Sequence, residues 1–518
     1  MNYWPIVNVL APEVFLVIWA FALLGIDLLA MRKQPVEQRS KVLGIATACF
    51  LVIVGMRLAN WVWWGLDPAP KPDALGNGTL VVNELAYFYK LIILMFTALT
   101  ALISMGARFT EHVGEYYCLL VFGAVGMMFL ITSEELITIF ASLELLSLCL
   151  YILTAFHKTE RRSTEAGLKY YVFGALSSAF LLFGLSYLYG MTGETSLSAI
   201  GAKLAAGDWS GPGKTILMLG LVFTVVGFGF KVAVVPFHLW APDAYQGAPT
   251  PVAAFIATGS KVASFIVLMK VMVIALPGQA LQGALFFWPL KGEVQVSAGW
   301  VSLLAFVAAL SMIIGNVAAI VQSNVKRLLA YSSIAHGGYV LLGVLAVNEY
   351  GPKSVLFYVI VYGLANIGAF GVVQALADRA GGDDFVHFRG MARRAPFLSL
   401  LMLIFMLSLA GIPPLGGFFG KFYLFLAATE VNNMGLLWLV ILGIAMSAVS
   451  LYYYLVLLKQ MYVMEPADPS PIRVSPRFHW AIGAAALLVV LLGIFPSRIV
   501  SLIQDLLSQS SLSTVAGI

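Results

Sequence analysis

The stretch GFGFKVAVVPFHLWAPDAYQGAPTPVAAFIATGSK, from Gly227 to Lys261, decides how the rest of the chain is interpreted. Its first apolar run carries Lys231 deep within it, and Pro236 follows. A second apolar run begins at Pro249 and places Lys261 near mid-bilayer, since a helix rises roughly 1.5 Å per residue. A lysine at a helix centre costs roughly 2.5–3.5 kcal/mol to insert. Because proline also frees backbone carbonyls, the stretch predicts a broken membrane helix with charge beside the break, which is typical of an ion or proton path.

The composition is that of a polytopic membrane protein. Of 518 residues, 61% are hydrophobic and 11% are charged, and the mean hydropathy is +0.93. Soluble domains carry about 25% charged residues, so a soluble class is excluded. The formal net charge of +5 reflects orientation signals in such a protein, and no nucleic-acid binding is predicted from it.

The sequence predicts that this chain binds no cofactor and no metal. Cys49, Cys118 and Cys149 lie in apolar runs without CxxC spacing, and an Fe–S cluster needs about four thiolates. The histidines are scattered, and no GxGxxG or Walker loop follows a strand pattern. Redox chemistry or ATP hydrolysis would therefore take place on another polypeptide.

Hydropathy predicts an all-α protein with about fourteen spans of the usual length. The predicted spans are 9–30, 42–64, 84–105, 116–133, 135–156, 167–190, 215–245 (broken), 250–275, 298–321, 328–347, 353–377, 396–428 (broken), 434–462 and 478–503. The first is expected to be a permanent span, since no basic segment precedes it. No soluble domain and no long C-terminal extension are expected.

Basic residues in alternate loops predict the orientation. One set of connections holds seventeen, namely Arg32, Lys33, Arg39, Lys41, Arg108, Lys158, Arg161, Arg162, Lys169, Lys326, Arg327, Arg379, Arg389, Arg393, Arg394, Arg473 and Arg477. The other holds six, namely Lys71, Lys203, Lys214, Lys291, Lys353 and Arg498. The positive-inside rule places the first set in the cytoplasm. Both termini are then predicted on the outer, periplasmic side of a bacterial inner or plasma membrane.

A second proline-broken span predicts an internal repeat. The span near 396–428 contains GIPPLGGFFGK, and Lys421 closes this motif. Two broken spans, five apart in order and opposite in direction, favour two inverted five-helix repeats. The single membrane domain, 1–518, would then comprise three N-terminal helices (1–106), the first repeat (107–276), the second repeat (297–463) and a last helix (477–505).

Several ionisable residues inside the spans are candidates for a proton relay. Glu144 lies midway through the fifth span, and Lys231, Lys261 and Lys421 lie beside or after the breaks. The free-energy cost of burying an unpaired ion is prohibitive, so each of these four side chains must be paired or change its protonation state. The alternative for all four is a structural ion pair that ties helices together. His238 and His336 are proton shuttles or satisfied core residues, and the sequence leaves both interpretations open.

Other charges in the spans are given a lower rank. Glu13 and Asp27 lie near the two ends of the first span. Four basic residues toward span ends are predicted to extend to the membrane surface, namely Arg57, Lys90, Lys270 and Lys459. The SLYYYL run at 450–455 is interpreted as aromatic packing or an interface belt.

Six motifs together resemble the antiporter-like membrane subunits of respiratory complex I. They are LELLSL around Glu144, EAGLKYYVFGALSS at 165–178, FKVAVVPFHLWAPDAYQGAPTPVAAF at 230–255, NVKRLLAYSSIAHGGY at 324–339, LANIGAF at 364–370 and AGIPPLGGFFGKF at 410–422. The form PFHLWAPDAYQGAPTP and the lysine at 421 favour the N-type members of this family.

The resemblance implies a proton-translocating subunit of an NADH–quinone oxidoreductase. It implies that Glu144 pairs with Lys231, that Lys261 connects two half-channels with His336 nearby, and that Lys421 is the terminal site. NADH, FMN, Fe–S clusters and quinone would bind to partner subunits, and other antiporter-like subunits would be neighbours in the membrane. Electron transfer there would drive this chain allosterically.

Two alternatives stay open. One is a subunit of a multi-subunit Na⁺/H⁺ antiporter, although few mid-membrane acids are available for a sodium site. The other is a structural scaffold whose polar axis only ties helices together.

Overall fold

A computed structural model describes residues 9–64, 79–81, 83–105, 109–207, 211–276, 299–431, 435–466, 468–472 and 474–508. Within these ranges the chain is helical, and β pairing is limited to three isolated bridges. The α-helices are α1 (Ala11–Gly25), α2 (Val36–Ala59), α3 (Glu84–Ser104), α4 (Val113–Thr132), α5 (Leu136–Thr154), α6 (Arg161–Thr192), α7 (Leu197–Ala206), α8 (Gly211–Lys231), α9 (Trp240–Gly247), α10 (Thr250–Phe255), α11 (Lys261–Lys270), α12 (Gly299–Ile320), α13 (Val325–Leu345), α14 (Tyr350–Ala380), α15 (Met391–Arg394), α16 (Pro396–Ala410), α17 (Gly416–Thr429), α18 (Leu437–Tyr462), α19 (Pro476–Ile494) and α20 (Pro496–Ser508). The predicted boundaries at 106/107 and at 297 lie outside the described residues.

The described helices include twelve that are long and apolar enough to cross a membrane, or thirteen if the bent pair α19–α20 is one span. The chain is therefore a multi-pass membrane protein. The prediction of fourteen also counts the broken span near 396–428. That span consists of two shorter helices, α16 and α17, separated by a turn.

Burial divides the helices into a centre and a periphery. The span Thr250–Ala275 and the apolar part of α14 are wholly buried, and α13 is nearly so. By contrast, only 22% of the first span and 33% of α18 are buried. The central span joins α10 to α11 through a π-helical segment, Ile256–Ser260, so Lys261 begins its helix in the interior of the protein. The polar residues on these central helices are consequently shielded from lipid.

The two breaks lie where the sequence predicts them. α8 ends at Lys231, and the chain turns through Pro236 before α9 begins. Ala233 in this turn has a φ of 55°, a left-handed value that is uncommon for a residue with a side chain. α16 ends at Gly411, whose φ of 88° favours glycine, and α17 begins after Leu415.

Two buried ionic contacts correct the prediction made for the peripheral basic residues. Lys90 on α3 and Glu13 on α1 form a buried ion pair 2.6 Å apart. Lys270 at the end of α11 lies 3.5 Å from Glu134 and donates to the carbonyl of Ser133 at 2.8 Å. The prediction that Lys90 and Lys270 extend to the membrane surface is therefore wrong, because both are about 95% buried against acceptors.

Asp27, near the end of the first span, is completely buried. It accepts hydrogen bonds from Arg39 and from the backbone N–H of Gly114 at 2.9 Å. These contacts join the π-helical segment that follows α1 (Ile26–Met31) to α2 and α4, and a Cβ on Gly114 would lie only 2.6 Å from Asp27 Cβ. The three N-terminal helices are thus attached to the central bundle by charge as well as by packing.

Candidate functional site

Lys231 ends α8 beside one face of α5. The lysine is 5% exposed, and its Nζ donates to Ser147 Oγ and, at 3.5 Å, to Tyr151 Oη. Glu144 lies one turn before Ser147 on the same face, because residues three or four apart are neighbours on a helix. Ser178 of α6 donates to Glu144 Oε1 at 2.5 Å. These five residues form the Lys231 cluster, a buried ammonium and a carboxylate with hydroxyl groups around them.

Within the part of the chain that the structure describes, no ion pair joins Glu144 directly to Lys231. The contact implied by the family resemblance is replaced here by the Ser147 hydroxyl. Ser147 itself donates to the carbonyl of Leu143. Charge can therefore move between the two groups only through a hydroxyl, a water molecule or a rotation of one side chain.

Aromatic and hydroxyl groups satisfy the polar backbone freed at the first break. Trp240 Nε1 donates to the carbonyl of Phe230 at 3.0 Å, next to Lys231. The Trp240 ring stacks on Tyr170 with centroids 4.2 Å apart. On the other side, Ser311 Oγ accepts from the N–H of Val235 at 2.9 Å. These contacts fix the end of α8 and hence the position of the Lys231 side chain.

Lys261 and His336 lie together in the centre of the protein. Lys261 is 3% exposed, and its Nζ donates to the carbonyl of Ser333 at 2.7 Å. His336 is one turn further along α13 and 2% exposed. Both residues line a small cavity of about 10 Å³, which is about the room that one water molecule needs. The predicted neighbourhood of Lys261 and His336 is therefore present.

Both ring nitrogens of His336 bond to tyrosines on other helices. Nδ1 shares a hydrogen bond of 2.5 Å with Tyr358 Oη on α14, and Nε2 one of 3.1 Å with Tyr454 Oη on α18. Tyr454 Oη also lies 2.5 Å from Ser332 Oγ. Together with Lys261 and Ser333 these residues form the Lys261 cluster. A neutral imidazole donates from one nitrogen and accepts at the other, so His336 can pass a proton between the two phenols.

Lys421 lies on the first turns of α17, after the second break. It is 4% exposed, and its Nζ donates to Ser447 Oγ at 2.8 Å and to the carbonyl of Ala410 at 3.0 Å. That carbonyl belongs to the last residue of α16 and is freed by the break. The Lys421 ammonium thus satisfies a carbonyl that the break frees, and the same carbonyl gives the buried ammonium an acceptor.

An aromatic and amide path leads from Lys421 toward the Lys261 cluster. The Lys421 ammonium lies 5.0 Å from the ring centroid of Tyr339, whose Oη accepts from Asn316 Nδ2 at 3.1 Å. Tyr453 Oη donates to Asn316 Oδ1 at 3.0 Å, and its ring centroid is 4.5 Å from that of Tyr454. Lys421, Ser447, Tyr339, Asn316 and Tyr453 form the Lys421 cluster.

The Lys231 and Lys261 clusters meet at the turn of the first break. A Cβ on Gly337, the residue after His336, would lie 3.1 Å from Val234 Cγ1 and 3.5 Å from the carbonyl oxygen of Val232. Among the described residues, no side-chain hydrogen bond connects Lys231 to Lys261. The freed backbone of Val232–Val235 is therefore what separates the two clusters.

The structure does not bring His238 into any of these clusters. The residue is 9% exposed, and its Nδ1 has no hydrogen-bond partner among the described residues. Asp243, further along α9, instead accepts from Lys169 at 2.8 Å and from Arg327 at 2.7 Å. This carboxylate attaches α9 to α6 and α13, which holds the second half of the broken helix in place.

Sequence reasoning missed the hydroxyl and amide groups that surround the charges. Ser147 and Tyr151 follow Glu144 at helical spacing, a signal that was available. The SLYYYL run was interpreted as aromatic packing or an interface belt, yet Tyr453 and Tyr454 are buried and hydrogen-bonded. Nothing in the sequence pairs Asn316 with Tyr339, because the two residues lie on different helices. In the described ranges, no group of three histidine, cysteine, aspartate or glutamate side chains is arranged to hold a metal ion.

Comparison with known proteins identifies the family. Residues 133–449 match the family model described as NADH:quinone oxidoreductase/Mrp antiporter, TM. NADH-quinone oxidoreductase subunit N 2 of Acidobacterium capsulatum is 41% identical over 508 residues, which cover 96% of this chain and 98% of the relative.

Solved structures agree with this assignment. A chain of respiratory complex I from Thermus thermophilus with bound aureothin is 32% identical, with a TM-score of 0.74 over 95% of this chain and 98% of that chain. A chain of the Mrp complex from Dietzia has a TM-score of 0.81 over 98% of this chain and 97% of that chain, but at 17% identity it shows the fold alone. The chain therefore belongs to the family of NADH:quinone oxidoreductase and Mrp antiporter membrane subunits, and within it to the N subunits of NADH-quinone oxidoreductase.

Proposed function

We propose that this chain translocates protons across the membrane as the N subunit of an NADH–quinone oxidoreductase. The names of its relatives and the complex I structures support this assignment. Its partners are the other membrane subunits of that complex, including other antiporter-like chains. The enzyme as a whole is a translocase, and NADH, FMN, Fe–S clusters and quinone bind on the partner subunits. The bacterial relatives favour an inner or plasma membrane.

One observation carries the proposal that the relay comprises Glu144, Lys231, Lys261 and Lys421. All three lysines are at most 5% exposed, and each ammonium group donates to a hydroxyl or carbonyl oxygen inside the protein. A lysine that merely tolerated the membrane would extend to the headgroups. Three buried ammonium groups near breaks and hydroxyls are instead the arrangement that proton transfer requires.

The clusters support a sequence of local transfers. Lys231 exchanges charge with Glu144 through Ser147, so the two groups change protonation state as a unit. His336 passes a proton between Tyr358 and Tyr454, next to Lys261. From there Tyr453, Asn316 and Tyr339 lead to Lys421. Transfer from Lys231 to Lys261 crosses the turn of the first break, where water bound to freed carbonyls supplies the connection. His238, whose Nδ1 has no hydrogen-bond partner within the described ranges, is kept as a secondary member at this turn.

The redox reaction drives this series by linkage rather than by direct chemistry. A conformational change imposed by a partner subunit alters the relay only if it favours one protonation pattern over another. The Lys231 cluster suits this role, since a shift of α5 against α8 would change the Glu144–Lys231 separation and with it the proton affinity of both groups.

We also propose that the broken spans belong to two inverted five-helix repeats, 107–276 and 297–463. α16 and α17 count as one broken span in this arrangement, which gives fourteen spans with α19–α20 as the last. The distribution of basic residues favours both termini on the outer side. Each repeat then contributes one break and one lysine beside it, Lys231 in the first and Lys421 in the second.

The substitution Lys231→Met tests the relay. It removes the ammonium and keeps the length of the side chain. We expect assembled complex with proton pumping reduced at least about tenfold, since a positioned proton-transfer group contributes roughly 10²–10⁴-fold. The measurement is proton uptake by inverted membrane vesicles during NADH oxidation, with complex assembly followed on native gels.

The matched control is Lys203→Met, because the Lys203 side chain is 60% exposed on α7. Normal pumping in Lys231→Met complex would contradict the relay and leave the scaffold role. The Na⁺/H⁺ antiporter alternative rests on the fold shared with the Mrp complex. It predicts cation exchange in vesicles without NADH oxidation, which our proposal excludes.

A further inference from the structure

α19 contacts the second break backbone to backbone. A Cβ on Gly493 would lie 2.0 Å from the carbonyl oxygen of Pro414 and 2.7 Å from the backbone nitrogen of Gly416. Such distances do not occur for a real Cβ, and the obstructing atoms are backbone rather than a flexible side chain. On the facing side, a Cβ on Gly416 would lie 3.1 Å from the carbonyl oxygen of Val489. The last turn of α19 and the start of α17 therefore touch at two glycines.

The other flank of α17 is equally close-packed. Gly420, the residue before Lys421, lies against Tyr358 of α14, with only 2.6 Å between a Cβ and the Tyr358 ring carbon Cδ2. Tyr358 is the residue that bonds to His336. α17 is thus held between α14 and α19, and a displacement on the α19 side is transmitted to Lys421 and to Tyr358.

α19 is in turn fixed at its end. After Ile494 the chain bends by 87° into α20, which packs its buried residues Ile503, Leu506 and Leu507 onto the bundle. Gln504 of α20 accepts from Lys353 Nζ on α14 at 3.5 Å. The bend between α19 and α20 therefore fixes the position of Gly493 relative to the second break.

We propose that Gly493 is a positioning residue for Lys421. Without a side chain at 493, α19 packs directly against the carbonyl of Pro414. This contact holds the turn between Ala410 and Gly416 in the conformation in which the Ala410 carbonyl accepts from the Lys421 ammonium. The expected effect of Gly493 on proton pumping rests on the proposed proton relay, whereas its effect on the conformation of the turn does not. Lys421 makes the contacts to oxygen, and Gly493 acts through the turn.

The variant Gly493→Ala tests this inference in the whole complex. Overpacking against backbone displaces the turn, so hydrogen exchange of residues 411–421, followed by mass spectrometry, is expected to speed up about tenfold or more. Proton pumping per NADH oxidised is expected to fall by at least about half, while NADH oxidation continues. Lys421→Met is measured in parallel, because it tests the relay without touching the turn.

Two alanine controls separate positioning from general packing. Gly483→Ala lies on the same helix, where a Cβ meets only Phe397 at 3.8 Å, and should leave both readouts unchanged. Gly184→Ala also produces a contact below 3.0 Å, 2.6 Å from the backbone nitrogen of Thr224, but it lies between α6 and α8 in the other half of the chain. It should not accelerate exchange in residues 411–421. If Gly493→Ala fails to accumulate, the milder Gly416→Ala tests the same contact.

The outcomes are distinguishable. Faster exchange with lower pumping in Gly493→Ala, together with lost pumping in Lys421→Met, supports both the inference and the relay. Exchange no faster than in Gly483→Ala overturns the inference, whatever Lys421→Met does. Normal pumping in Lys421→Met overturns the relay, and faster exchange in Gly493→Ala then supports the positioning of the turn alone.

Discussion

Each of the three lysines of the candidate relay donates to an oxygen that some local feature leaves available. Ser147 offers a hydroxyl one helical turn from Glu144, and the break after Ala410 offers a free carbonyl to Lys421. Full desolvation of an unpaired ammonium would cost several kcal/mol, so these acceptors are needed for the fold as well as for transfer. The hydroxyl and carbonyl groups do not neutralise the charge. The lysines thus remain responsive to any carboxylate that approaches.

The pair of Glu13 and Lys90 shows the contrasting case, in which a buried ammonium is neutralised. Their side chains are 2% and 5% exposed and 2.6 Å apart. We expect Glu13→Gln or Lys90→Met to lower the free energy of unfolding by about 3–5 kcal/mol, because each leaves one buried charge without its partner. The double variant should lose less than the sum of the two. Thermal unfolding of the purified complex measures this.

Glu165→Gln is the control for that pair, since it removes an exposed partner of Lys169 and should leave the unfolding midpoint unchanged. Equal effects of Glu13→Gln and Glu165→Gln would contradict the ion pair.

At the scale of the elements, the two breaks solve one problem in different ways. Proline frees carbonyls that lipid cannot satisfy. At the first break the indole of Trp240 donates to the Phe230 carbonyl, whereas at the second the ammonium of Lys421 donates to the Ala410 carbonyl. The first break consequently leaves Lys231 available for the hydroxyls of α5. The second ties its lysine to the turn itself.

Trp240→Phe removes the indole donor and keeps a ring that can stack on Tyr170. The Phe230 carbonyl is then buried without a partner, which costs about 1–3 kcal/mol. We expect a lower thermal midpoint of the complex and reduced proton pumping, because Phe230 adjoins Lys231. Trp438→Phe, at a residue that is 48% exposed, is the control. A midpoint as high as that of the control would show that the indole bond does not support the break.

At the scale of the whole molecule, burial rises from the edge to the middle. α1, α2 and α18 face outward with apolar side chains, while α3 is mostly buried and the central span and α14 are enclosed. The Lys261 cluster draws most of its residues from these enclosed helices, whereas the Lys231 cluster lies among α5, α6 and α8, which are 39–56% buried, although Lys231 itself is only 5% exposed. A membrane protein of this form keeps its charges by surrounding them with its own helices.

The proposed orientation predicts the reactivity of introduced cysteines. In a Cys49→Ser background, where the remaining Cys118 and Cys149 are buried, we expect Lys203→Cys to react with a membrane-impermeant maleimide from the outer side. Lys158→Cys should react only when the cytoplasmic side is exposed in inverted vesicles. Labelling of both positions from one side would contradict the predicted parity of the spans.

The sequence alone was sufficient for the class of protein, the position of both breaks, the burial of Lys231, Lys261 and Lys421, and the family. Hydropathy, proline and charge act locally along the chain, and the membrane converts them directly into spans and breaks. The family resemblance added the expected roles of Glu144, Lys231, Lys261 and Lys421, which their charge and their positions in the spans already made candidates.

Only the tertiary structure decided which groups meet. It placed Ser147 rather than Glu144 against Lys231, joined His336 to Tyr358 and Tyr454, and paired Lys90 with Glu13. Each of these contacts joins two different helices, and glycines such as Gly493 let two backbones approach closely. Spacing along one helix predicts its faces, but only packing against the others determines what each face touches.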